Sequence, residues 1–107
     1  MPGVCVIVAY RPKAGKESEL LALVRSRVPT LRAEDLVTDR APAIMRSRDG
    51  TIIEVSEWKS HAAIEAAHKN PTVLAMWDKF FALCECIPLQ ELPEAKEMFA
   101  GFEPLDG

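Results

Sequence analysis

The 107-residue sequence predicts one α+β domain, built from a single antiparallel sheet with helices on one of its faces. Three observations predict this fold class. The chain starts with a short apolar run, it continues with two strand-like runs joined by Asp49-Gly50, and two further stretches repeat their apolar residues at helical spacing. A chain of this length has room for one core, so we predict a single domain over residues 1–107.

The first two elements are predicted to be a strand and a helix. Residues 4–10 are rich in β-branched side chains and apolar on both alternating sets, which is typical of a strand covered on both faces. Residues 11–15 predict a turn. From Lys16 the apolar residues follow helical spacing, and Pro29 either kinks this helix or opens a further turn. The apolar stripe consists of Leu20, Leu21, Leu23, Val24 and Val28.

A β-hairpin is predicted around Asp49-Gly50, between residues 43–48 and 51–58. Asp-Gly is favoured in two-residue hairpin turns, whose central residues need positive φ. Such a turn places Met45 opposite Glu54 and Arg46 opposite Ile53. One face would then carry Ile44, Arg46, Ile53 and Val55, and the other would carry Met45, Ile52, Glu54, Ser56 and Trp58.

The second half of the chain predicts two helices and a last strand. Ser60 suits the N-cap of a helix over residues 61–70, and Pro71 suits the first turn of the next helix. The last short strand is predicted over residues 96–103. The complete order is that of a ferredoxin-like βαββαβ sandwich with a four-stranded antiparallel sheet. The apolar side of the last helix is predicted to carry Val73, Trp77, Phe80, Phe81 and Cys84.

Composition excludes several classes of function. Thirteen basic residues against 16 acidic ones give a net charge of −3, so the chain lacks the basic balance of a nucleic-acid binder or of a protein bound to an anionic membrane. Three cysteines without framework spacing argue against a disulfide scaffold. The apolar run at residues 4–10 is too short for a membrane helix and lacks the flanks of a signal peptide. A cytoplasmic location is the expectation.

The first strand also predicts an interface. Val4, Val6 and Val8 alternate with Cys5 and other apolar residues, whereas a strand with one face in water would alternate with polar residues. We therefore expect a homodimer that pairs the helix-free faces of two sheets. The alternative is a monomer whose apolar face is partly covered by the C-terminal tail.

Two short stretches carry a resemblance to a known family. Residues 54–60 read Glu-Val-Ser-Glu-Trp-Lys-Ser, and residues 66–71 read Ala-Ala-His-Lys-Asn-Pro. They resemble the antibiotic biosynthesis monooxygenase family, in which a strand ending in an acid and Trp leads to a small-residue helix and then to a His shortly before a Pro. Members of that family are dimeric α/β barrels built from two ferredoxin-like sheets.

The resemblance implies a cofactor-independent monooxygenase that acts on a small aromatic or quinol-type molecule. In the better-known members the substrate itself is deprotonated, and its carbanion reacts with O₂ without a metal or flavin. Such a site needs an apolar slot, one base and a donor for the developing oxyanion. Relatives that degrade haem use an Asn in the first strand, and residues 4–10 contain none.

His68 and Glu54 are the candidate catalytic residues. Imidazole exchanges protons near neutral pH, and His68 follows Ile64 at i+4 on a predicted inward stripe. The alternative for His68 is a structural hydrogen bond. An inward Glu54 costs energy unless it is paired. Candidate substrate-binding residues are Tyr10, Met45, Trp58, Trp77 and Phe81, although core packing also explains the aromatic ones.

Metal binding is not expected. His61 and His68 lie two helical turns apart, about 10.5 Å, which is too far to share one ion. Cys84 and Cys86 are predicted on a helix, where they would point to opposite sides and serve in packing.

Two other functions stay open: a non-catalytic small-molecule binding or regulatory module of the same fold, and a small-molecule isomerase. A concave slot that holds both Glu54 and His68 would favour chemistry, whereas a filled core would favour a structural role.

Overall fold

The computed structural model describes residues 3–105 of the chain. Two 3₁₀ turns follow β4, at Leu89–Glu91 and Pro93–Lys96. The helices and strands are β1 (Val4–Pro12), α1 (Glu17–Ala33), β2 (Ala43–Arg46), β3 (Ile52–Trp58), α2 (His61–Ala67), α3 (Pro71–Leu83), β4 (Cys84–Ile87) and β5 (Glu103–Pro104).

The strands form one antiparallel sheet in the order β4-β1-β3-β2-β5. The predicted α+β class and ferredoxin-like arrangement are confirmed in β1 to β4. The predicted count of four strands is wrong, because the tail adds β5 beside β2, so the described residues form five strands. Within residues 3–105, no helix is long and apolar enough to span a membrane.

The last core strand lies earlier in the chain than predicted. Cys84–Ile87 leaves α3 directly and pairs with β1 as β4, although the sequence suggested that Cys84 ends a helix. The predicted strand over residues 96–103 is wrong, since that segment is 3₁₀ and irregular except at Glu103. Four residues are too few for a period-2 pattern to stand out beside a strongly apolar helix.

The hairpin forms, but its predicted register is wrong by one residue. Ser47 N–H donates to the Thr51 carbonyl at 2.8 Å, so three residues rather than two make the loop, and Gly50 takes a φ of 91°. Asp49 does not take the positive φ that a two-residue turn requires. Ile44 therefore lies opposite Glu54, and Met45 lies opposite Ile53.

That shift exchanges the two faces of β2, because successive side chains in a strand point to opposite sides. Ile44 joins the helix-facing set with Ile52, Glu54, Ser56 and Trp58. Met45 instead joins Ile53 on the helix-free face.

The predicted N-cap at Ser60 and the predicted helix start at Pro71 are both confirmed. The Ser60 hydroxyl accepts a hydrogen bond from Ala63 N–H at 3.0 Å, and the Asn70 side chain accepts from Thr72 and Val73 N–H. The first of these two helices ends at Ala67, three residues earlier than expected. Pro29 lies inside α1, which continues to Ala33.

Two apolar clusters lie on opposite faces of the sheet. The larger one packs α1 and α3 on the helix-facing side and includes Leu20, Val24 and Phe80. The smaller one lies on the helix-free face, where Ala9 and Ile53 contact residues of the C-terminal segment. The C-terminal segment therefore covers part of this face, as in the monomeric alternative, and the predicted dimer stays a prediction.

Candidate functional site

A buried charged group lies between α1 and the sheet. Glu54 has no exposed surface, and its Oε1 accepts hydrogen bonds from Arg27 Nη1 and from the Tyr10 hydroxyl, each at 3.0 Å. Arg27 Nη1 also donates to the Ser56 hydroxyl at 3.2 Å. The guanidinium lies 5.6 Å from the centre of the Trp58 ring, within the range of a cation–π contact. Glu54 is therefore neutralised where it is buried.

The positions of these residues follow from local periodicity. Glu54 and Ser56 are two residues apart on β3 and share its helix-facing side, and Tyr10 is on the same side of the neighbouring strand. Arg27 was not among the candidate residues proposed from the sequence, but a signal for it exists. It lies at helical spacing from Val24 and Leu31, in the middle of the buried stripe of α1.

Burial makes Glu54 a stronger proton acceptor than an ordinary glutamate. Burial raises the pKa of its carboxyl, and the Arg27 charge with the Tyr10 hydrogen bond only partly offsets the rise. Burial likewise raises the pKa of the Tyr10 phenol. Among residues 3–105, Glu54 Oε2 has no hydrogen-bond partner, so this oxygen is left to accept one.

A cavity of about 190 Å³ opens beside this charged group. Tyr10 and Phe80 stack in its wall, with ring centres 5.0 Å apart and planes inclined by 20°. Within residues 3–105, both hydrogen bonds of Arg27 start from Nη1, so its other N–H groups are available to an occupant. The cavity is lined by Val8, Tyr10, Arg27, Trp77, Phe80, Phe81 and Cys86.

His68 lies outside the lining of this cavity. Its Nδ1 is 2.9 Å from the Ile64 carbonyl, which can only accept, so Nδ1 carries a proton. The ring meets Trp77 edge-on at 5.1 Å between centres. The expected inward position of His68 is wrong, because α2 ends at Ala67 and leaves His68 exposed as its C-cap. His68 and Glu54 both lie outside the lining of this cavity, and the catalytic role of each stays a prediction.

The five predicted substrate-binding residues divide into two groups. Tyr10, Trp77 and Phe81 line the cavity, and Phe81 is 61% exposed at its edge. Trp58 is buried beside Arg27 and does not line the cavity. Met45 lies on the helix-free face, because of the shifted hairpin register.

The opposite face of the sheet has an apolar cavity of about 300 Å³. Its lining has no charged side chain, in contrast to the cavity beside Arg27. It is formed by Ile7, Met45, Ile53, Leu89, Leu92, Ala95, Ala100 and Phe102.

Cys84 and Cys86 share the helix-facing side of β4, so the expected opposite orientation is wrong. The neighbouring Cys84 thiol lowers the pKa of Cys86 to about 7, with a smaller contribution from the Arg27 charge, and the Cys86 thiol raises the pKa of Cys84. In the part of the chain that the structure describes, no group of three His, Cys, Asp or Glu side chains has a metal-binding arrangement.

The fold has counterparts among known proteins. The family model described as "Antibiotic biosynthesis monooxygenase" matches residues 3–79. The chain belongs to the antibiotic biosynthesis monooxygenase family. The resemblance seen in residues 54–60 and 66–71 is thus confirmed.

A solved structure shares this family fold. It is SnoaB from Streptomyces nogalater, described as a cofactor-independent oxygenase, with a TM-score of 0.67 and 18% identity. The match covers 88% of this chain and 100% of the SnoaB chain. None of the curated proteins compared with the chain matches it significantly.

Proposed function

We propose that the protein is a cofactor-independent monooxygenase that acts on a small aromatic or quinol-type molecule in the cavity beside Arg27. Membership of the family supports oxygenation, and SnoaB is an oxygenase of the same fold. The observation that carries the proposal is the combination of aromatic walls with a single buried cation and a hydrogen-bonded acid.

The cavity suits a flat, oxygen-bearing ring. Tyr10, Trp77, Phe80 and Phe81 offer aromatic surfaces to the substrate. The free N–H groups of Arg27 are available to the ring oxygen, where negative charge develops once the substrate loses a proton. A cation held in a low-dielectric site stabilises such an oxyanion more than water does.

We assign proton removal to Glu54, acting through Tyr10. Tyr10 lines the cavity and its hydroxyl donates to Glu54, so we propose that this hydroxyl takes a substrate proton while passing its own to the carboxylate. The raised pKa of Glu54 favours this transfer. His68 is the competing base, as its exposed ring lies against the cavity residue Trp77.

The overall reaction needs only the substrate and O₂. The carbanion formed at a ring CH₂ adds O₂, one oxygen atom remains as a carbonyl, and the other leaves as water. The balance is CH₂ + O₂ → C=O + H₂O. The substrate supplies all four electrons, so we expect no metal or flavin requirement.

Oxygen uptake by metal-stripped protein with anthrone and hydroquinone tests this function. We expect uptake that needs no added cofactor and falls by about 10²-fold or more in Glu54→Gln and in Tyr10→Phe, which keeps the ring but removes the hydroxyl. His68→Ala should retain most of the wild-type rate. Circular dichroism and urea unfolding check that each variant is folded.

The outcomes separate the remaining alternatives. Loss of activity in His68→Ala, with Glu54→Gln still active, would assign the base to His68. Uptake no faster than autoxidation would contradict the oxygenase. Ligand binding without uptake would then favour the binding or regulatory module, and conversion without oxygen would favour the isomerase.

We also propose that the protein forms a homodimer through the helix-free face of the sheet. Ile7 on β1 is 48% exposed there, and it pairs in the sheet with the half-buried Val55. The C-terminal segment covers Ile53 and Met45 but leaves this strip open. An uncovered apolar strip on a sheet favours pairing with a second copy.

Sedimentation velocity across a concentration series tests the dimer. We expect Ile7→Lys to shift the protein to monomers, because it places a charge in the interface. Leu74→Lys is the matched control, since Leu74 is 41% exposed but lies on α3 away from this face. A wild-type monomer at all concentrations, or equal dissociation by both variants, would contradict the interface. The cytoplasmic location stays a prediction.

A further inference from the structure

We propose that Cys86 is a nucleophile that captures flat electrophiles, such as quinones and other enones, as they enter the helix-facing cavity. This inference goes beyond the proposed oxygenation and depends on the surroundings of Cys86 alone. Its thiol lies at an exposed position of β4 and lines the same cavity as Tyr10, Phe80 and Phe81.

Two residues on the cavity side prepare Cys86 for this reaction. Cys84 is buried two residues earlier on the same side of β4, and its neighbouring thiol lowers the pKa of Cys86. Arg27 faces the cavity from α1 and adds a positive charge. A neighbouring cation and a hydrogen-bond donor both favour the thiolate, which is the reactive form.

The groups that face Cys86 from the other elements do not reverse this effect. Tyr10 is its partner in β1, and burial keeps that phenol protonated and neutral. From α3 the cavity receives aromatic side chains, which carry no charge. Glu54 lies behind Tyr10, and Arg27 offsets its negative charge. Lys13 acts on Cys84 with a further positive charge.

The reaction is a conjugate addition that needs no oxidant. The Cys86 sulfur forms a bond to a C=C carbon β to one quinone carbonyl, the C=C π pair shifts toward that carbonyl, and the C=O π pair moves to its oxygen. Arg27 is available to that oxyanion. That oxygen is protonated, and the attacked ring carbon loses its proton as the second oxygen gains one, so the hydroquinone product is the sum of one thiol and one quinone. The aromatic walls favour a flat electrophile over a flexible one.

The three cysteines of the chain give this proposal an internal control. Cys5 is exposed like Cys86 but lies on the helix-free face of β1, away from the cavity, so the two thiols are compared in the Ile7→Lys variant, in which a second copy should not cover Cys5. The fully reduced protein is treated without oxygen with 1,4-benzoquinone or, separately, with iodoacetamide. After trypsin digestion Cys5 appears in a different peptide from Cys84 and Cys86, and tandem mass spectrometry separates the latter two across Glu85.

We expect Cys86 to react with benzoquinone at pH 7 about 3- to 10-fold faster than Cys5. A half-ionised thiol outweighs the lower nucleophilicity that accompanies a lower pKa. The ratio should be larger for benzoquinone than for iodoacetamide, because only the quinone uses the aromatic walls. The reaction rate of Cys86 should have its midpoint near pH 7.

Variants of Cys84 test whether its thiol lowers the pKa of Cys86. Cys84→Ala removes the donor and should move the midpoint of the Cys86 profile upward by at least about one pH unit, whereas Cys84→Ser keeps a donor and should restore much of the shift. Equal rates at Cys5 and Cys86, or a profile that Cys84→Ala leaves unchanged, would overturn the proposal. Since the probe is a quinone and oxygen is absent, this result is independent of oxygenase activity.

Discussion

The two faces of the sheet are both apolar at their centres, yet only one carries a buried charged group. On the helix-facing side, Arg27, Glu54 and Tyr10 form a buried hydrogen-bonded group beside an aromatic cavity. On the helix-free side the cavity lining contains no charged side chain, and the C-terminal segment packs over Ile53. A buried ion pair is costly to maintain, whereas an apolar cover is not.

Buried charge, rather than apolar area, indicates where function lies in a fold used for many purposes. Apolar area alone would have given the two faces equal weight. The charged group distinguishes them, because buried ionisable groups with shifted pKa values occur often at functional sites. Substitutions on the two sides of the sheet test whether the buried charged group distinguishes the helix-facing side from the helix-free side.

The largest effect is expected from breaking the buried pair. Arg27→Met leaves Glu54 buried without its cation and should lower the free energy of unfolding by about 3–5 kcal/mol. The double variant Arg27→Met/Glu54→Gln should recover part of this loss. Urea unfolding at pH 7 measures both.

A matched control lies two residues away on α1. Arg25 is exposed and donates to the Leu105 carbonyl, so Arg25→Met should cost at most about 1 kcal/mol. The pH dependence of Arg27→Met adds a second check. Burial raises the pKa of Glu54 in the folded protein. The contribution of Glu54 to the free energy of unfolding is therefore fully present below its unfolded-state pKa, and it is lost as pH rises through its folded-state pKa. Arg27→Met should therefore cost less at pH 4 than at pH 8, and a cost equal to that of Arg25→Met would contradict the role of the pair.

A smaller effect, with the opposite pH dependence, is expected where the C-terminal segment is anchored. Glu94 is enclosed and accepts hydrogen bonds from the Ser47 hydroxyl at 2.7 Å and from Arg48 N–H at 2.9 Å. Burial alone would raise its pKa, but these hydrogen bonds outweigh burial and lower it. Glu94→Gln should lower the thermal midpoint by about 5 to 10 °C at pH 7.

The sign of the pH effect follows from the lowered pKa of Glu94. Its contribution is present above the unfolded pKa of glutamate and is lost as pH falls through the lower folded value. The difference in thermal midpoint between wild type and Glu94→Gln should therefore become smaller below about pH 4. Calorimetry at a series of pH values measures this difference. Glu91→Gln is the control, since Glu91 is exposed in the same segment. A difference in thermal midpoint that becomes larger in acid would show that the Glu94 carboxyl group does not anchor the segment in its ionised form.

The smallest effect is expected at the hairpin loop that sets the faces of β2. Gly50 has a φ of 91°, so Gly50→Ala strains the backbone although nothing lies within 4 Å of an added Cβ. We expect a loss of about 1 kcal/mol in urea unfolding. Gly101→Ala has equally open surroundings without the positive φ and should be nearly neutral. Equal effects would argue against the three-residue loop.

Much of this architecture could be predicted from the sequence, because its signals are local. The apolar β-branched run of β1, the apolar stripe of α1, the cap at Ser60 and the helix start at Pro71 each depend on a few neighbouring residues. The hairpin register could not be predicted, since Asp49-Gly50 fits a two-residue loop and also the end of a three-residue loop. β4 was missed because its four residues show no usable period.

The candidate site was predictable only in part. Tyr10, Trp77 and Phe81 reach one cavity, but the shifted register moved Met45 to the other face. Arg27 could have been found from its place within an apolar helical stripe, where a charge needs a buried partner. The meeting of Arg27 with Glu54 depends on how α1 packs across β3, and such packing leaves no local signal in the chain.

The proposed function depends on the helix-facing cavity, rather than the helix-free one, being the ligand site. Titration of ¹⁵N-labelled protein with a stable planar phenol such as 2-naphthol, followed by amide chemical shifts, distinguishes the two cavities. We predict saturable shifts at Val8, Tyr10, Phe80 and Cys86, with little change at Ile53 and Leu92. Shifts concentrated at Ile53 and Leu92 would contradict this assignment and place ligand binding on the opposite face.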